Sequence, residues 1–202
     1  QGILDILAAG HINLLDQAFT FFCCAAVFGF VLAQLAPEAS IRERRWMWLT
    51  WIALALAVLS KGIVILVLAG GTLALYLLLA GHVTPLRRMH FRSGVPLFLL
   101  VAAPWFLLVQ QRNPEFAAFF FVHEHFSRFL TEVHKRNEPF WFFIPILLLA
   151  LAPLLGSLKS ALVAAWRDAA SAPQAFRARR FLLLWCLVTV VFFSISDSKL
   201  PP

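Results

Sequence analysis

Charged residues are scarce in this chain. They make up 13% of its 202 residues, whereas 61% of the residues are hydrophobic, with 21 Phe and 7 Trp among them. A soluble globule of this size needs more polar residues to cover its surface. The composition therefore excludes a soluble domain and indicates an integral membrane protein.

Cysteine is equally scarce, and the three that occur lie inside apolar runs: Cys23, Cys24 and Cys186. No Cys-x-x-Cys pair is present, so the sequence indicates neither a disulfide framework nor cysteine-based metal or redox chemistry. These cysteines are predicted to be packing residues.

Long apolar runs dominate what is present. A chain crosses a hydrocarbon core of about 30 Å with about 20 apolar residues, and a helix satisfies its own backbone there. A single helix over 46–81 would be about 54 Å long, so the chain must turn back at the polar break Lys61-Gly62. We predict an all-α integral membrane protein, one polytopic domain over 1–202 with about six transmembrane helices, at 17–36, 46–60, 62–81, 94–110, 139–157 and 181–196.

The distribution of charge predicts the orientation. The loops 37–45, 82–93 and 158–180 fall on one side and hold most of the 17 Lys and Arg residues, as short cytoplasmic loops do. The net charge of +7 then lies next to anionic membrane lipid, and no nucleic-acid partner is expected. The opposite side, with the loop 111–138, is predicted to be periplasmic.

Polar clusters gather on this second side. A carboxylate such as Asp16 at the start of a span could act as a base, orient a lysine or cap its helix. Lys61 could bind a phosphate at the membrane surface or simply snorkel from a turn. Lys199 precedes Pro201 and Pro202, which end the last helix. Two lysines on one face would suit a phosphate ester or diphosphate.

The predicted outer loop carries the densest cluster, His123-Glu124-His125 with Arg128. On a helix the two imidazoles would diverge by about 200°, so they share a face only in extended chain. A divalent metal site built on His123 and His125 is one hypothesis, and a hydrogen-bonded relay through Glu124 is another. An interfacial loop rich in aromatic residues is the plain alternative.

Together these motifs resemble the bacterial lipid A aminoarabinose transferases, in the protein mannosyltransferase-like branch of the polytopic, polyprenyl-phosphate-dependent glycosyltransferases of the C-type superfamily. The motifs occur in family order and cover nearly the whole chain. They are Leu14-Leu-Asp16, Leu59-Ser-Lys-Gly62, Phe121-Val-His-Glu-His-Phe-Ser-Arg-Phe129, His134-Lys-Arg-Asn-Glu-Pro-Phe-Trp141 and Phe193-Ser-Ile-Ser-Asp-Ser-Lys-Leu-Pro-Pro202.

The resemblance implies an inverting enzyme that transfers 4-amino-4-deoxy-L-arabinose from undecaprenyl phosphate to lipid A, at the periplasmic face of the bacterial inner membrane, and so confers polymyxin resistance. Asp16 would be the inner acid of the cavity and Lys61 would bind the carrier phosphate. The loop His123–Arg128 would line the donor site, with Glu124 as a second candidate catalytic acid, and Lys199 would lie at the rim. No cofactor is required, and a divalent metal stays open.

The resemblance also implies that the chain is a fragment. It would lack the first span, the first periplasmic loop with the principal catalytic acid, and the C-terminal part, and would be inactive alone. Three alternatives remain: a mannosyl or hexosyl transferase acting on protein or another glycan, a carrier or flippase for lipid-linked sugars, and a membrane scaffold. A scaffold would tolerate neutral replacement of Lys61, His125 and Lys199.

Overall fold

The computed structural model describes residues 14–113, 115, 139–167 and 175–195, and all regular structure within these ranges is helical. A short 3₁₀ turn, Ala152–Leu154, lies between two of the helices. The α-helices are α1 Leu14–Leu35, α2 Ile41–Lys61, α3 Val64–Ala80, α4 Thr84–Arg87, α5 Phe91–Arg112, α6 Phe143–Ala150, α7 Leu155–Trp166 and α8 Ala178–Ile195.

Among the described residues, three helices are long and apolar enough to cross a membrane: Gln17–Leu35, Phe91–Arg112 and Ala178–Ile195. A bent pair of helices could supply a fourth span, and Val64–Ala80 is a shorter apolar helix. The described chain is thus that of a multi-pass, all-α membrane protein. The number of spans stays a prediction.

Helix α2 begins five residues before the span predicted at 46–60. Ser40 caps its first turn, where the Ser40 Oγ accepts a hydrogen bond from the Glu43 N–H at 3.1 Å. Arg42, Arg44 and Arg45 therefore belong to the helix rather than to a loop. The helix is longer than the predicted span because hydropathy reports the apolar part of a helix, whereas capping decides where it starts.

The segment predicted as one span at 139–157 is broken. Phe143–Leu149 and Ala152–Trp166 meet at an angle of 68°. Pro153 lies in the 3₁₀ turn between them, where it offers no backbone N–H and disfavours helix for the residue before it. The predicted loop 158–180 is correspondingly helical as far as Trp166.

The chain divides into two compact units, and each is described by itself: Gln1–Ala69 with Val83–Leu108, and Gly70–His82 with Val109–Pro202. In the first unit α1 and α2 pack as an antiparallel hairpin. A Cβ on Gly29 would lie 2.8 Å from the Thr50 Oγ1, and near the other end Phe19 lies beside Lys61. Small residues at such a contact let helices approach closely.

Helix α5 begins against α2 in the same unit. The Trp51 Nε1–H donates to the Met89 carbonyl at 2.9 Å, and the indole contacts the rings of Phe91 and Phe98 edge-on. A Cβ on Gly94 would overlap this indole. Glycine at this position is therefore required by the close approach of α5 to α2.

The second unit is organised around Tyr76. Its side chain is fully buried, and its ring contacts those of Phe176 and Phe181. The Tyr76 hydroxyl oxygen accepts a hydrogen bond from the Arg177 N–H at 2.8 Å. This contact joins the end of α3 to the start of α8.

Candidate functional site

Lys61 is the last residue of α2 and is exposed. The helix ends there because Gly62 takes φ 84°, a left-handed conformation that side chains disfavour, and its N–H donates to the Val58 carbonyl at 2.8 Å. A cation in the last turn is also favoured by the helix dipole. The predicted break at Lys61-Gly62 is therefore a true helix end, and α3 starts two residues later, at Val64.

The ammonium group of Lys61 lies 5.8 Å from the centre of the Phe19 ring, within the range of a cation–π interaction. Phe19 is 8% exposed and fixed in the packing of α1. The ring thus contacts the ammonium group itself at this end of the hairpin, while the Lys61 side chain as a whole is exposed. An exposed ammonium beside an apolar surface can bind a phosphate at the headgroup level of a bilayer.

Asp16 lies in the first turn of α1, three residues before Phe19. Three residues are less than one helical turn, so the backbone places Asp16 at the same end of the hairpin as Lys61. Because α1 begins at Leu14, Asp16 lies within the helix rather than at the cap position that precedes it. Whether Asp16 caps this helix or serves the site stays a prediction.

The other predicted site residues lie outside the described part of the chain: His123, Glu124, His125, Arg128 and Lys199. Their roles stay predictions, as does a divalent metal bound by the two histidines. Among the residues that the structure does describe, no group of three His, Cys, Asp or Glu side chains could hold a metal ion.

The opposite end of the hairpin holds a buried carboxylate. Glu43 is 2% exposed, and its Oε2 accepts from the Ala39 N–H at 2.8 Å and from the Arg88 Nη2–H at 3.1 Å. Its Oε1 lies 3.0 Å from the His90 Nε2. A buried carboxylate costs several kcal/mol unless it is paired and hydrogen-bonded, and these three contacts meet that requirement.

Arg88 links this carboxylate to the end of α1. Its guanidinium also donates to the carbonyl oxygens of Ala33, Gln34 and Ala36, at 3.0, 2.7 and 2.7 Å. These carbonyls lie at or just beyond the C-terminal end of α1, where the helix dipole is negative and few backbone donors remain. Arg88 therefore caps one helix while it pairs with the carboxylate that caps the next.

Neither Glu43 nor His90 was singled out from the sequence. One local signal was available, since Ser40 followed three residues later by Glu43 is the pattern of a capping box. The contacts of Glu43 with Arg88 and His90 span 45 and 47 residues, which spacing alone cannot reveal. They bring residues of the predicted loops 37–45 and 82–93 together, while the side of the membrane on which these loops lie stays a prediction.

The chain has clear relatives. It is 32% identical to the undecaprenyl phosphate-alpha-4-amino-4-deoxy-L-arabinose arabinosyl transferase 2 of Proteus mirabilis, a match that covers 97% of this chain and 34% of that protein. It is 34% identical to the corresponding transferase of Pseudomonas aeruginosa, over 96% of this chain and 34% of the relative. The chain thus spans about a third of the length of these curated relatives.

Solved structures agree with this relationship. The crystal structure of ArnT from Cupriavidus metallidurans bound to undecaprenyl phosphate matches with a TM-score of 0.84 and 34% identity, over 96% of this chain and 34% of that one. The apo structure of the same protein matches with a TM-score of 0.81. A sequence profile described as dolichyl-phosphate-mannose-protein mannosyltransferase matches residues 4–120, more than half of the chain. The chain belongs to this mannosyltransferase family of membrane proteins.

Proposed function

We propose that the protein containing this chain is a membrane glycosyltransferase that moves 4-amino-4-deoxy-L-arabinose from undecaprenyl phosphate to lipid A. The observation that carries the proposal is the match, over 96% of the chain, to a structure bound to undecaprenyl phosphate. The names of the relatives support the choice of sugar. Lipid A as the acceptor rests on the resemblance of the motifs.

Lys61 is the residue we assign to the carrier phosphate. It is exposed at the end of α2, and its ammonium group lies over the ring of Phe19 in α1. When the sugar leaves the carrier, negative charge builds up on the phosphate, and a positioned ammonium stabilises that charge. Lys61 also lies at a helix end, where a membrane helix reaches the level of the lipid headgroups, and this position supports the role.

The reaction is a single displacement at the anomeric carbon. An oxygen of the acceptor forms a bond to this carbon, while the bond from the carbon to the phosphate oxygen of the carrier breaks. The bonding electron pair stays on the undecaprenyl phosphate. Any proton on the attacking oxygen passes to a carboxylate, and the configuration of the sugar inverts.

Asp16 and Glu124 are the carboxylates of this chain that we propose for the cavity. Asp16 is supported by its place at the same end of the hairpin as Lys61. For Glu124 the support is the histidine motif, with His123, His125 and Arg128 proposed to line the donor site and Lys199 its rim. Lys61, Asp16 and these loops would face the periplasm, with the arginine-rich end of the hairpin in the cytoplasm of the bacterial inner membrane.

The test is transfer of labelled sugar from undecaprenyl phosphate to lipid A by the full-length protein in membranes. Lys61→Ala should reduce transfer by about a hundredfold or more, the usual effect of removing one group that stabilises developing charge. His125→Ala should also reduce it. Lys159→Ala is the matched control, because Lys159 is an exposed lysine in α7 and should not affect transfer.

Donor choice separates the alternatives. The family profile is described by mannose transfer to protein, so a polyprenyl-phosphate mannose donor with a protein acceptor is the second reaction to assay. Transfer of mannose but not of aminoarabinose would replace the proposed sugar while leaving Lys61 in its role. Absence of transfer with every donor, despite good expression, would favour a carrier of lipid-linked sugars.

The acceptor has a separate test in cells. Expression of the full-length protein in a host that lacks its own aminoarabinose transferase should raise resistance to polymyxin, because an amino sugar on lipid A reduces its negative charge. Unchanged resistance with normal expression would argue against lipid A as the acceptor.

A further inference from the structure

An open cavity of about 460 Å³ lies where α4 meets the start of α5. Six residues line it: Leu86, Arg87, His90, Phe91, Arg92 and Ser93. None of these six is acidic, and two are arginines. The lining therefore combines positive charge with the apolar side chains of Leu86 and Phe91.

The positive charge of this cavity is not neutralised locally. Arg87 and Arg92 are exposed, and neither forms an ion pair with any residue in the described part of the chain. The nearby carboxylate of Glu43 is buried and already shared between Arg88 and His90. Arg88 serves the fold, whereas Arg87 and Arg92 remain available to an anion.

The cavity lies at the end of an apolar span. Phe91–Arg112 is long and apolar enough to cross a membrane, and the cavity surrounds its first residues. Phe91 is 44% exposed, and the Trp48 Nε1–H donates to the Ser93 Oγ at 3.1 Å. Tryptophan, exposed aromatic rings and arginine at a span end are typical of the level at which lipid headgroups lie.

We propose that this cavity binds the headgroup phosphate of an anionic phospholipid. Arg87 and Arg92 would pair with the phosphate oxygens, and the acyl chains would lie along Phe91 and Leu86. Arginine suits phosphate because its planar guanidinium can form two parallel hydrogen bonds. The site is independent of sugar transfer, since about 20 Å of helix α2 lies between Trp48, which contacts Ser93, and Lys61.

The experiment measures lipid binding to the purified full-length protein in detergent, by native mass spectrometry. Phosphatidylglycerol is the probe, and phosphatidylcholine, whose phosphate is balanced by a quaternary ammonium group so that the lipid has no net charge, is its counterpart. Arg87→Gln with Arg92→Gln should weaken phosphatidylglycerol binding by on the order of 25-fold, about fivefold for each arginine near an anionic headgroup. The double variant Arg42→Gln with Arg45→Gln removes the same charge from exposed positions outside the cavity and should have a much smaller effect.

Four results would overturn the proposal. The first is equal binding of the two lipids by the unaltered protein. The second is an equal loss of phosphatidylglycerol binding in the two double variants, which would mean that the lipid binds to a diffuse basic surface. The third is binding of glycerol phosphate as tight as that of phosphatidylglycerol, which would identify a soluble phosphate ester instead. Should the Gln variant fail to fold, Arg87→Lys with Arg92→Lys keeps the charge and should retain selectivity for phosphatidylglycerol. Loss of that selectivity in the folded Lys variant is the fourth.

Discussion

The charged residues at the two ends of the α1–α2 hairpin differ in burial and in what they contact. At the Glu43 end, a carboxylate that is 2% exposed is held by Ala39, Arg88 and His90. At the Lys61 end, an exposed cation lies against the ring of Phe19. One end uses its charges to join helices, and the other presents a charge to its surroundings.

This difference separates residues that stabilise the fold from those suited to a ligand. Charges at the Glu43 end compensate one another, so removing one leaves a buried partner without compensation. At the Lys61 end the cation is exposed, and the ligand proposed for it is a phosphate. Substitutions at the first end should therefore lower stability, and those at the second should lower binding or transfer.

The largest effect is expected for Arg88→Leu. The substitution leaves the buried Glu43 carboxylate without the Arg88 guanidinium and removes the donor to three carbonyl oxygens at the end of α1. The free energy of unfolding should therefore fall by about 3–5 kcal/mol. Thermal unfolding of the purified full-length protein in detergent measures this. Arg42→Leu, at an exposed arginine of the same helix end, should change stability by less than about 0.5 kcal/mol. Equal destabilisation by both substitutions would mean that the contacts of Arg88 with Glu43 and α1 stabilise the fold no more than an exposed arginine does.

A smaller loss of stability is expected for Gly94→Ala. The added Cβ would overlap the indole of Trp51, which is itself fixed by its hydrogen bond to Met89, so α5 must shift at a cost of about 1–3 kcal/mol. Gly70→Ala is the matched control, because a Cβ there meets nothing within 4 Å and alanine favours helix. If Gly94→Ala left the stability unchanged, α5 would not be held against α2 at this point.

The sequence predicts the Lys61 end better than the Glu43 end, for a physical reason. Lys61-Gly62 interrupts a long apolar run, and both the need to turn and the suitability of glycine for the turn are local properties. At the Glu43 end, the contacts of Glu43 with Arg88 and His90 join residues that are 45 and 47 positions apart in the sequence. A short stretch of sequence therefore cannot reveal them. Arg88 and its exposed neighbour Arg87 look alike in sequence and differ only in what surrounds them.

Helix boundaries show the same limit. The apolar run starting at Trp46 indicates the part of α2 suited to a membrane, yet the helix extends to Ile41 because Ser40 and Glu43 cap it. Pro153 lies inside another apolar run, and hydropathy gives no warning that the helices on its two sides meet at 68°. The predicted roles of His123 and its neighbours fall outside the described residues and stay predictions.

The smallest effect sharpens the comparison at the Lys61 end and rests on the proposed carrier. Phe19→Leu keeps an apolar side chain but removes the ring face, so the cation–π contribution of about 0.5–1 kcal/mol is lost. Binding of undecaprenyl phosphate to the purified full-length protein should weaken by about twofold to fivefold. Phe28→Leu, at an exposed ring of the same helix, should leave it unchanged.

A double-mutant cycle decides whether Phe19 acts through Lys61. If the ring only positions the ammonium group, Phe19→Leu should weaken carrier binding in the unaltered protein but have no further effect once Lys61→Ala is present. Additive losses would mean that Phe19 contacts the carrier directly or acts through the packing of α1. The cycle thus separates a cation held ready for a phosphate from a lysine that merely lies at the end of its helix.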